Sequence, residues 1–98
     1  MPRDHPGISA LRAKVTQDTL WVDLSDGRTI AAPLVWYPRL LHATAQERKT
    51  WRLIGGGVGL HWPGVDEDIS VANLLNGQPS AESPASLKKW LSGRTRPK

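Results

Sequence analysis

Apolar and polar positions along the first third of the chain alternate with a period of two. Leu20, Val22 and Leu24 fall on one parity, Trp21 and Asp23 on the other, which predicts a strand with one aliphatic face. Leu11 to Val15 is a strand candidate ahead of it, separated by a turn at Gln17-Asp18. Ser25-Asp26-Gly27-Arg28 predicts a hairpin turn, because Asp-Gly supplies the positive φ that tight hairpins need. Thr29 to Ala32 then pairs back as a third strand, which Pro33, for want of an N–H, either ends or confines to an edge. Beyond Pro33 the pattern changes. Pro38 opens a short helix at its first turn, and Leu40-Leu41 face the sheet. Thr44 and Glu47 have capping-box spacing for a helix from Ala45 to about Trp51, after which Leu53-Ile54 lead into Gly55-Gly56-Gly57. Val58 to Trp62 reads as a strand closed by Pro63-Gly64. Ser70 caps a helix carrying Val71, Leu74 and Leu75, and Gly77 closes it.

These elements predict an α+β domain over residues 9–77. Its small antiparallel sheet is an N-terminal three-stranded meander plus later strands, with two or three short helices packed on one side. Residues 1–8 read as a disordered start. Residues 78–98 read as a basic tail with a short helix over 84–92, whose apolar stripe is Leu87, Trp90 and Leu91.

Charge sharpens that division. The net charge is +4, yet residues 1–82 hold eight basic and nine acidic side chains, whereas residues 83–98 hold five basic and no acidic ones. Lys88, Lys89, Arg94, Arg96 and Lys98 are therefore candidates for nucleic-acid contact, on an arm rather than on a basic face. The absence of cysteine excludes disulfides and thiolate metal sites. No apolar run approaches the roughly 20 residues of a membrane span, and the polar start has no signal-like apolar centre, so the expected location is cytoplasmic. Five Trp, one Tyr and no Phe are unusual for 98 residues, and some of the indole rings are expected at the edge of so small a core.

Candidate chemistry is sparse. The triple glycine lacks the Lys and Ser/Thr of a nucleotide loop and precedes a strand, so it reads as a tight connection. Asp66-Glu67-Asp68 lacks the distributed ligands of a calcium loop and reads as acids favouring the N-terminus of the helix after Ser70. No nucleophile, base and orienting group stand at catalytic spacing, so no enzymatic activity and no metal are expected. His61 and His42 are the candidate axial ligands should a haem or other tetrapyrrole bind. Trp36-Tyr37-Pro38-Arg39 joins two aromatics and a cation at a strand-to-helix junction. With Trp62 it supplies the candidate partner-binding residues Trp36, Tyr37, Arg39 and Trp62, for a protein partner or for self-association.

The hairpin Val22 to Arg28, Trp36-Tyr37-Pro38-Arg39-Leu40, Trp51, Gly55 to Gly57, Gly59-Leu60-His61-Trp62-Pro63, Asp66 to Ser70, Leu74-Leu75 and Gly77 together resemble a bacterial family catalogued as a domain of unknown function, number 2442. The resemblance covers roughly residues 9–77 and stops before the tail. It implies a small α+β domain with strands first. It also implies a regulatory, antitoxin-like role by association, since family members are often encoded beside small toxin-like proteins and some carry a following helix-turn-helix domain. The family brings no catalytic residues with it, and residues 78–98 are too few for a complete DNA-binding domain.

Overall fold

A computed structural model describes residues 7–94. Strands β1 (Ala10–Val15), β2 (Thr19–Leu24) and β3 (Thr29–Pro33) form the expected antiparallel meander. The register sets Leu20 against Val15 and Ala32, and Val22 against Ala13 and Ile30, so the aliphatic parity shares the inner face. At the hairpin turn Asp26 Oδ1 accepts the Arg28 N–H at 3.1 Å. A short 3-10 turn, Leu34–Trp36, leads to helices α1 (Pro38–Leu41) and α2 (Ala45–Lys49). The capping box of α2 is formed as predicted: Thr44 Oγ1 accepts the Glu47 N–H, and Glu47 Oε1 accepts the Thr44 N–H.

The later strands do not extend the first sheet. β4 (Arg52–Ile54), β5 (Gly59–Trp62) and β6 (Glu67–Ser70) form a second three-stranded antiparallel sheet. Two of these strands were not expected. Helix α2 ends at Lys49, and Arg52–Ile54 pairs with β5, which makes the triple glycine a hairpin turn. The turn tip lies against the first sheet, where the Ala10 N–H donates to the Gly57 carbonyl at 2.7 Å. Gly57 has φ +105°, and a Cβ there would lie 2.7 Å from the Ala10 carbonyl oxygen, so the approach requires glycine. The acidic run is not a set of charges at a helix start, as the sequence suggested. Asp66 takes φ 51° in the turn, a conformation Asp tolerates, and Glu67 then begins β6 opposite Trp62.

Ser70 ends β6 and caps the helix that follows, α3 (Val71–Leu75), its Oγ accepting the Asn73 N–H at 3.0 Å. Gly77 closes α3 at φ +69°. Its N–H donates to the Leu74 carbonyl and that of Gln78 to the Asn73 carbonyl, the bond pair of a left-handed helix stop. The core joins both sheets: Leu20, Val22, Leu34, Leu40, Leu60 and Trp62 are fully buried. Trp62 Nε1–H donates to the Arg48 carbonyl at 3.1 Å, so the buried indole keeps a partner and ties β5 to α2. Ile8, expected to be disordered, packs partly against this core, and residues 1–6 lie outside the described part.

The segment read as a separate basic arm is joined to the body. Helix α4 (Pro84–Arg94) is held at both ends. Arg39 Nε donates to Glu82 Oε1 at 2.7 Å ahead of it, and Arg94 Nη2 donates to Glu47 Oε1 at 2.7 Å at its close. Trp90 lies between these anchors in sequence, with the Arg39 and Arg94 guanidinium carbons 5.1 and 4.6 Å from its ring centre. No helix among the described residues is long and apolar enough to cross a membrane.

Candidate functional site

Of the four residues expected to meet a partner, the structure buries Tyr37 and Trp62 and partly covers Trp36 and Arg39. Tyr37 is 2 % exposed and Trp62 is fully buried, because the 3-10 turn delivers Tyr37 inward and Trp62 shares the inner parity of β5 with Leu60. Trp36 is half-buried against the core, and its carbonyl accepts the Ser80 N–H. Arg39 is occupied by Glu82 and by the Val65 carbonyl, to which it donates at 3.2 Å. Trp36 and Arg39 thus fasten the C-terminal segment to the domain.

The other candidates are scattered. His61 on β5 has its Nδ1 paired with Asp68 of β6, while His42 is exposed at the end of α1. The fold does not place the two histidines on one element. Lys88 and Lys89 are exposed on α4. Arg94 is held in its ion pair with Glu47, so it is not a free cation of an arm. Arg96 and Lys98 lie outside the described residues.

The exposed aromatic is Trp21. It stands at the centre of β2 on the outer face of the first sheet and is 42 % exposed, with Lys14 and Ala31 as its cross-strand neighbours. Beside it Asp23 lies between Arg12 and Thr29. The Thr29 hydroxyl donates to Asp23 at 2.8 Å and the Arg12 guanidinium at 2.8 Å, and together they hold the Asp23 carboxyl below its ordinary range. These residues line a shallow hollow of about 270 Å³. A second hollow of about 220 Å³ shares Lys14 and adds Lys49 and Trp51. Arg12 is the cation of this face that an acid neutralises. Lys14 and Lys49 form no ion pair among the described residues. The sequence carried this signal, since Trp21 is the large apolar residue on the polar parity of the strand, between Thr19 and Asp23.

A second feature is Glu67, which the sequence grouped with Asp66 and Asp68 as helix-start acids and the structure buries. Its side chain points inward from β6 and is 8 % exposed. It lines a cavity of about 260 Å³ with Tyr37, Asp68, Ser70, Asn73 and Ser80 among the walls. Burial, and then the nearby Glu82 carboxylate, push its carboxyl up to about 7, against the pull of Arg39. The same burial, with Glu67 beside it, raises the Tyr37 hydroxyl to about 12. The parity of Glu67 with Ile69 was the available clue, hidden by the low strand propensity of an acidic run.

The family described as "Protein of unknown function (DUF2442)" matches residues 10–80. The chain belongs to the DUF2442 family. Its match ends before α4, so the docked helix of this DUF2442 chain lies outside the matched segment. A crystal structure of a protein of unknown function from Rhodospirillum rubrum ATCC 11170, at 2.75 Å resolution, is similar to it. The two share 28 % identity with a TM-score of 0.65, over 82 % of this chain and 96 % of the other. No curated protein matches this DUF2442 chain.

Proposed function

We propose that this chain is a non-enzymatic binding module that engages an acidic protein segment through the outer face of its first sheet, centred on Trp21. The observation that carries this is the exposed indole in the middle of the central strand, framed by Lys14 and Arg12. An isolated apolar residue at a surface needs no explanation. A tryptophan among cations on a rigid sheet is different, because Trp and Arg dominate the energetics of protein contacts. Lys14 and Lys49, which form no ion pair among the described residues, favour an acidic occupant and steer its approach. Such a face recognises a partner without acting on it, which suits a regulatory contact.

The test is fluorescence anisotropy with a labelled peptide of alternating Glu and Leu, against a Lys/Leu peptide as control. The acidic peptide should bind and weaken with salt. Trp21→Ala should lose at least about tenfold in affinity, and Lys14→Glu a similar amount. Equal binding of both peptides, or affinity unchanged in Trp21→Ala, would refute the proposal. Sedimentation of the free chain covers the alternative occupant: a dimer that Trp21→Ala dissociates would make the partner a second copy.

A further inference from the structure

The core of the second sheet covers a tyrosine hydroxyl without giving it a partner and sets a carboxylate on the wall of the same cavity. Among the described residues the Tyr37 hydroxyl is a buried polar atom with no hydrogen bond, and Glu67, 8 % exposed, carries a carboxyl on which burial and nearby charges act but no hydrogen bond does. Both stand on the wall of the same cavity. Buried polar groups are costly when unpaired, and native structures nearly always satisfy them. An orphaned hydroxyl beside a carboxylate that no hydrogen bond holds points to a ligand that supplies what the protein withholds.

The charges select the class of ligand. Among the described residues, Glu67 and Asp68 are the charged ones of the lining, and no cation lines it. Arg39 acts on Glu67 electrostatically but is committed to Glu82 and the Val65 carbonyl. An anion would face two carboxylates. A metal ion would lack ligands, since no group of three or more suitable side chains exists among the described residues. An ammonium group fits: it brings three donors and no acceptor, so it can give one N–H to Glu67, one to the Tyr37 oxygen and one to a serine hydroxyl at the rim. Ile69, Pro79 and Ala81 supply apolar wall for a short alkyl body. We propose that the Tyr37–Glu67 cavity is a binding site for a small primary alkylammonium ion.

Binding requires an ionised Glu67. The groups acting on it are Glu82, Arg39, Asp68 and Asp66, of which only Arg39 favours the charge, with the neutral Tyr37 hydroxyl close by. A bound ammonium adds a second favourable charge, so binding at neutral pH expels a proton from Glu67. This site is separate from the Trp21 face, and either can fail alone.

The experiment is an NMR titration of the chain with butylammonium chloride, read at the Ser70, Asn73 and Gln78 amides, with sodium chloride, butanol and butyrate as controls. At about pH 8 the ammonium should give saturable shifts that the controls do not, and at about pH 5.5 its affinity should be about 30-fold weaker. Glu67→Gln should lose at least about tenfold at the higher pH and abolish the pH dependence. Tyr37→Phe removes an unpaired hydroxyl, so it should fold normally and lose about threefold or more. That variant carries the test if Glu67→Gln does not fold. Absence of saturation by about 100 mM, equal shifts with butanol, or full affinity in whichever of the two variants folds would overturn the proposal.

Discussion

The two sheets break the same rule in opposite directions. The first keeps its aliphatic residues inside and leaves an aromatic, Trp21, in solvent. The second takes in a tryptophan, Trp62, and encloses a carboxylate, Glu67, opposite it in register. In both, period-two alternation decides which face a residue occupies. The exceptions therefore sit where backbone register puts them, not where side-chain chemistry would. An exposed Trp costs little and is available to a partner. A buried Glu is expensive, and the expense appears in its proton affinity.

The largest effect should come from the residue that the second sheet hides best. Trp62→Ala removes a fully buried indole and its bond to the Arg48 carbonyl. It should destabilise the chain by about 3–5 kcal/mol, read as a shift in urea midpoint. For a domain of this size that approaches the whole stability margin. A loss comparable to that of a surface substitution would mean the second sheet does not close on Trp62.

Glu67 should produce the next effect, visible only as a pH dependence. Its folded pKa, about 7, lies above the ordinary 4.5. The folded state therefore holds the proton more tightly than the unfolded chain. The associated stability is complete below about pH 4.5 and is lost as pH rises through about 7, by an amount on the order of 3 kcal/mol. Urea midpoints of the parent chain minus those of Glu67→Gln should fall across that window. A flat difference would place Glu67 in solvent.

A smaller effect, with the opposite sign, belongs to α4. Arg94, helped by the Thr44 N–H, holds the Glu47 carboxyl down to about 2 against an ordinary 4.5. That contribution is present above about pH 4.5 and disappears as pH falls toward 2. The pair is partly exposed, so Arg94→Ala should cost only about 1 kcal/mol, and loss of helical ellipticity should accompany it. An unchanged far-ultraviolet spectrum would show that α4 stays docked without this anchor.

The contrast between the sheets also marks where the sequence was legible. The meander could be read because aliphatic residues alternate with polar ones and Asp26-Gly27 fixes the turn. Thr44, Ser70 and Gly77 announced their helix ends through local bonds that any context would permit. The second sheet was obscured because β4 is three residues long and β6 starts in an acidic run, so neither offers a period to count. Tyr37 and Arg39 were misplaced for another reason: their surroundings come from Glu67 and Glu82, far along the chain. Tertiary contacts of that kind leave no local pattern.

Stability should be least sensitive at Trp21, where Ala should change it by less than about 1 kcal/mol while removing the partner contact. The five tryptophans make this directly observable, since each indole N–H gives its own NMR signal. On titration with the acidic Glu/Leu peptide, the Trp21 indole should shift first and furthest. The Trp62 indole, bonded to the Arg48 carbonyl in the core, should stay still. Movement centred on Trp90 with Trp21 unmoved would place the contact on α4 and contradict the assignment of function to the outer face of the first sheet.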